Sequence, residues 1–158
     1  MSDSDGGGDP IAALERAVGA VVGGMGIEAS VRVEEQEDGS VRAVVEGAEA
    51  EELVGKGGET LDALQYLAGQ IVARAEGGRG RMVVVDAADY RRRREESLTR
   101  LAGRAADEAV EHGEEIELDV MTPQDRRIVH LALKEREDVV TRSEGDEPRR
   151  RIIVEPAD

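Results

Sequence analysis

The chain contains no cysteine, no tryptophan and no phenylalanine, and only two histidines, two tyrosines and four prolines in 158 residues. The absence of cysteine excludes disulfides and thiolate metal sites, and two histidines would need carboxylates to complete a zinc site. No metal and no cofactor is therefore expected, and a reducing, cytoplasmic setting suits the composition. A long apolar run is also missing. The longest, AVGAVVGGMGI at residues 17–27, is about half the length that spans a bilayer and is interrupted by four glycines. Neither a membrane anchor nor a signal peptide is expected. What remains is a length suited to one ordinary domain or two small ones.

Positive charge is in short supply: 21 Lys and Arg stand against 36 Asp and Glu, for a net charge of −15. Such a field repels polyanions at long range. The distribution is uneven, however. Residues 1–54 carry 3 basic and 13 acidic groups and residues 101–125 carry 1 and 8, whereas residues 55–100 carry 9 and 7 and residues 126–158 carry 8 and 8. The cations are gathered in two segments.

The first ten residues, MSDSDGGGDP, lack the apolar mass to offset ordering entropy and read as a disordered tail. Ile11, Leu14, Ala17, Val18 and Val21 recur at helical spacing until Gly23 and Gly24. Two strands follow, ASVRVEE and SVRAVVEG, with Asp38-Gly39 as a hairpin turn between them. A short helical piece over residues 49–54 runs into Gly55-Lys56-Gly57-Gly58. The next helix carries Leu61, Leu64, Ala68, Ile71 and Val72 on one side, and RMVVVDA supplies a third strand. The second half begins with a long helix over residues 90–112, which Asp89 is placed to cap. It continues with a strand in EIELD, a helix opened by Thr122-Pro123, and strands in DVVTRSEG and RRRIIVEP. The fold class is α+β, with an α-β-β-α-α-β module over residues 11–87 and an α-β-α-β-β module over residues 88–158.

Two motifs carry chemistry. In Gly55-Lys56-Gly57-Gly58, glycines let the backbone approach a sugar-phosphate chain, the following helix start favours anions, and Lys56 adds a point charge. A Walker A loop is disfavoured, because Ala50 stands where its first glycine belongs and Gly57 where its Ser or Thr belongs. A G-x-x-G loop between paired helices in the α-β-β-α-α-β order is instead the pattern of a KH module of the type II order, which clamps a single strand there. In DRRIVHLALK, Arg126, His130, Lys134 and Arg127 fall within about 100° of one helix face, with the apolar residues on the rest. Arg126 and His130 are i,i+4 neighbours, placed to touch one phosphate together. Val54 and Leu61 are candidates to line an aliphatic base groove, since Tyr66 and Tyr90 are too few for stacking platforms.

GKGGETLDALQYLAGQIV, DAADYRRRREESL and MTPQDRRIVHLALKEREDVVTRSEGDEPRRRIIVEP together resemble the bacterial Jag (KhpB) family. In that family a KH domain precedes a small domain named for its R-x-x-x-H signature. The resemblance covers residues 45–156 closely and residues 11–44 by element order, and lacks the extra N-terminal Jag domain of many members. It puts the G-x-x-G loop on Gly55, Lys56, Gly57 and Gly58 and the signature on Arg126 and His130. It implies a cytoplasmic, single-stranded RNA-binding regulator that works post-transcriptionally, is linked with cell-envelope growth and pairs with a small single-KH protein.

Arg127, Lys134, Arg149 and Arg151 are further candidate RNA contacts. The last two share a face by alternation that could extend the Arg126 site, although Glu144, Asp146 and Glu147 are near enough to neutralise it. The run at residues 91–94 reads mainly as an exposed helix laced with i,i+4 pairs such as Arg92/Glu96. An enzyme is not expected. His130 as a general base lacks a carboxylate on its own face, Asp125 lying on the other side of the helix. A protein–protein adaptor whose acidic surface binds a basic partner is the alternative.

Overall fold

The structure is a computed structural model that describes residues 8–158. Residues 1–7, most of the expected tail, lie outside the described residues. The chain divides into two compact units, the first ending at Tyr90 and the second running over Arg91–Asp158.

In the first unit α1 (Pro10–Gly24) begins one residue earlier than the apolar spacing suggests. Asp9 caps it by accepting from the Ile11 N–H at 3.0 Å, and Pro10 fills the first turn, where no amide donor is needed. Strands β1 (Ser30–Glu35) and β2 (Val41–Glu46) form an antiparallel hairpin, and β3 (Val83–Ala87) pairs with β2 in parallel to give the order β1-β2-β3. The register aligns Val31 with Val45, Val45 with Ala87 and Ala43 with Val85, so the small and branched residues share one face. Leu14 and Val18 of α1 and Leu61, Leu64, Ala68 and Val72 of α2 (Glu59–Ala75) close over that face. The side chain of Gln65 accepts from the Val85 N–H at 3.0 Å and so covers part of the β3 edge. The opposite face is ionic: Arg42 donates to the buried Asp86 at 2.9 Å.

The expected short α-helix over residues 49–54 is instead a 3-10 turn, Ala50–Leu53. Four residues between Gly47 and Gly55, both at positive φ, are too few for the cooperative α-helical ladder. Ala50 and Leu53 are nonetheless fully buried.

In the second unit α3 (Tyr90–His112) and α4 (Pro123–Leu133) pack on one face of an antiparallel sheet of order β4-β6-β5, formed by Ile116–Glu117, Arg151–Pro156 and Val139–Glu144. Leu98, Ala102, Ala105, Ala106 and Ala109 of α3 meet Val129, Leu133, Ile152 and Val154. Alanines on α3 let the helix approach the sheet closely. Asp89 does not take an ordinary cap conformation: it and Ala88 both have positive φ, 56° and 51°. The strand expected in EIELD shrinks to two residues, after which single amides of Leu118 and Met121 reach the carbonyls of Ile152 and Arg150. Thr122 and Pro123 open α4 as the sequence suggests, Thr122 Oγ1 accepting from the Asp125 N–H at 3.2 Å.

Candidate nucleic-acid interface

In the first unit the loop at residues 55–58 is a 3-10 turn, Lys56–Gly58, feeding directly into α2. Its three glycines differ in what they permit. A Cβ on Gly55 would stand 2.3 Å from Thr60 Oγ1, and one on Gly58 2.8 Å from the Tyr90 hydroxyl, so these two are small because the unit's own side chains fill the space. Gly57 alone faces open space, at φ 60° and ψ 19°. Beside it Lys56 is exposed and forms no ion pair among the described residues. The part of the loop able to receive an anion is thus residues 56 and 57, at the positive end of a helix of 17 residues. Val54 and Leu61, expected to line an aliphatic groove, are instead core residues, 4% and 0% exposed, joined by a hydrogen bond from the Leu61 N–H to the Val54 carbonyl.

In the second unit the helical wheel misplaces Arg126. It is only 8% exposed, and its guanidinium is already bound: Nη1 donates to the Met121 carbonyl at 2.8 Å and to Glu147 Oε2 at 3.4 Å, and Nη2 donates to Glu147 Oε1. His130 also turns inward. Its Nδ1 lies 2.7 Å from Thr141 Oγ1 and its Nε2 3.1 Å from Ser143 Oγ, two residues that share the helix-facing side of β5. Burial, and secondly the nearby Arg126 guanidinium, hold the imidazole pKa below its usual value. A neutral ring suits the two hydroxyls, each able to donate or accept.

The remaining candidates separate by face. Arg127 and Lys134 are exposed on α4 and just beyond its end, without an ion pair among the described residues, and Leu131 between them is 57% exposed, although it falls at the edge of the wheel's apolar arc. Arg149 is exposed on the β5–β6 loop, also without an ion pair among the described residues. Arg151 does not extend this site: it pairs with Glu144 across the strands, on the face opposite Thr141 and Ser143, and binds Glu117. Asp125 serves no chemistry at His130, since it is buried and accepts from Arg94. The sequence reading missed the roles of Glu147, Thr141 and Ser143. The only signal for them was an acidic loop and a hydroxyl-bearing strand in TRSEGDE. Among the described residues no group of three or more His, Asp or Glu could hold a metal ion, and no helix is long and apolar enough to cross a membrane.

The His130 environment gives a pH prediction. Because its folded pKa is depressed, the unfolded chain binds the extra proton first as pH falls below about 6.5. Stability of the second unit is therefore expected to hold above that pH and to decline between about pH 6.5 and 5. Urea midpoints for His130→Gln should show a shallower decline, and equal slopes for the two proteins would refute the assignment.

Two small α+β units, one with a glycine-lined helix entry and one with a paired Arg and His on a helix, define the class. Residues 96–156 match the family model of the domain named for its R-x-x-x-H signature. Over 130 residues the chain is 38% identical to the RNA-binding protein KhpB of Clostridium symbiosum, covering 82% of this chain and 58% of that protein. It is 40% identical over 102 residues to the protein of that name from Lactiplantibacillus plantarum, covering 65% of this chain and 31% of that one. With that of Bacillus subtilis it shares 30% identity over 148 residues, 92% of this chain and 70% of the relative. The chain belongs to the KhpB family. It spans little more than half of the first of these relatives and about a third of the second.

Proposed function

We propose that this chain is a single-stranded RNA-binding regulator that grips the backbone at two places. Residues 11–87 act as a KH domain and residues 88–158 as the R-x-x-x-H signature domain. The observation that carries the reading is the exposed, unpaired Lys56 beside the open Gly57 at the entry to α2, in a chain whose charge otherwise repels phosphate. The curated relatives' name, RNA-binding protein, supports the same ligand class. In the second unit Arg127, Lys134 and Arg149 supply free cations, and the Arg126–His130 pair lies within α4 beside the first of them. The regulator works post-transcriptionally in the cytoplasm and in cell-envelope growth, as the family resemblance implies.

With about three or four phosphates neutralised, log affinity for a single-stranded oligoribonucleotide should fall against log salt with a slope of roughly −2 to −3. Replacing Lys56 and Gly57 together by Asp tests the reading. Asp tolerates the left-handed backbone at position 57 and meets no neighbour there, so the unit should stay folded. RNA affinity should fall at least tenfold. A folded variant that binds RNA as the parent does would overturn the proposal.

A second reading, a protein–protein adaptor, is favoured by the outer side of α2, where Tyr66, Leu67 and Ile71 stand 69%, 55% and 38% exposed. A small single-KH protein is the proposed partner, and sedimentation of the two mixed chains tests it.

A further inference from the structure

Arg126 presents an unusual arrangement for a binding arginine. Its side chain is 9% exposed, whereas that of Glu147, which occupies its fork, is 53% exposed. The carboxylate approaches both terminal nitrogens of the guanidinium, as a phosphate would with two of its oxygens. The loop that carries Glu147 is held independently of this contact. Arg150 donates to the carbonyls of Gly145 and Ser143 at 2.7 and 3.3 Å, the Arg149 N–H donates to the Asp146 carbonyl at 2.7 Å, and Gly145 takes a φ of 89°. Glu147 is therefore a solvated side chain that can rotate away without the loop coming apart. What it leaves behind is a buried cation, still bound to the Met121 carbonyl and open to the surface on one side only.

A buried guanidinium without an anion is strongly unfavourable, so Glu147 leaves readily only if another anion replaces it. We propose that Glu147 is an internal stand-in for phosphate, closing the Arg126 site in the free protein and giving way to a backbone phosphate when RNA binds. The proposal rests on the RNA-binding reading for its natural ligand, but the exchange itself is a property of any accessible phosphate monoanion or dianion. It also gives the second unit a threshold: phosphate must compete with a tethered carboxylate, so isolated phosphates bind weakly and a strand already held elsewhere on the chain binds well.

Glu147→Gln in the full chain separates the possibilities, read by two probes. With inorganic phosphate, the Arg126 Nε–H resonance of the variant should shift at millimolar concentrations at which the parent's is nearly unmoved. The variant's lowered melting temperature should also recover on phosphate addition by more than the parent's rises. With a single-stranded oligoribonucleotide, the variant should bind at least threefold more tightly than the parent, and the gain should vanish when Arg126 is also replaced by Gln. An Arg126 resonance indifferent to phosphate in the variant would overturn the proposal even if RNA binds. So would RNA affinity that is unchanged or reduced by Glu147→Gln in a chain that binds RNA. A phosphate response without any RNA binding would uphold the exchange and sink the RNA reading instead.

Discussion

Gly55→Ala should destabilise the first unit by about 3 kcal/mol or more, because a glycine-only backbone conformation and an overpacked side chain each contribute ~1–3 kcal/mol. Gly55 sits at φ 72° and ψ 179°, in a region that other residues hardly visit, and the new methyl would meet Thr60 at its side chain and at its backbone nitrogen, 3.0 Å away. Neither can yield easily, since Thr60 lies in the first turn of α2. Gly57→Ala provides the contrast. Its φ of 60° is left-handed but unobstructed, and the expected loss is only ~1–2 kcal/mol. Urea denaturation followed on amide signals of β1, β2 and β3 would compare the two. Equal losses would mean that the loop relaxes around Gly55 and that its glycines are interchangeable.

That contrast bears on how much of the loop's meaning is visible in the residues themselves. The tetrapeptide and its position before a helix are legible, because glycine clusters and apolar spacing are local properties. Which glycine faces a ligand and which faces Thr60 or Tyr90 is not, since Tyr90 is 32 positions away from Gly58 in the chain. The same division holds elsewhere. Helices α1 to α4 and five of the six strands follow from periodicity and turn residues. The 3-10 turn at Ala50–Leu53 and the two-residue β4 do not, because their length is set by what they pack against.

Charge is the least legible property. A helical wheel treats α4 as an isolated rod and so puts Arg126 on a polar face. In the folded unit the β5–β6 loop covers that face, and Glu147 reaches Arg126 rather than the neighbouring arginines of its own loop. Arginine clusters also overstate the available positive charge. Arg42, Arg81, Arg92, Arg94, Arg126, Arg136, Arg142 and Arg151 all engage carboxylates of the chain itself. Lys56, Arg127, Lys134 and Arg149 are exposed and form no ion pair among the described residues. Attraction for a polyanion therefore depends on which cations lack an internal partner, not on the net charge of −15.

Arg94→Met should destabilise the second unit by about 3–5 kcal/mol, the penalty for leaving a buried charge unpaired. Asp125, its side chain 6% exposed, accepts from Arg94 Nε at 3.1 Å and from Nη2 at 2.6 Å, joining the start of α3 to the first turn of α4. Methionine retains most of the apolar stem, so the loss isolates the charge rather than the packing. The reciprocal change, Asp125→Asn, should be milder, since Arg94 is one-third exposed and can turn to water. Replacing both partners, Arg94→Met with Asp125→Leu, removes the uncompensated carboxylate and should recover much of the loss. Denaturation followed on amide signals of β5 and β6 measures each variant. A loss below about 1 kcal/mol for Arg94→Met would place this pair among ordinary surface bridges and leave the orientation of α4, with Arg126 and His130 on it, to the apolar core alone.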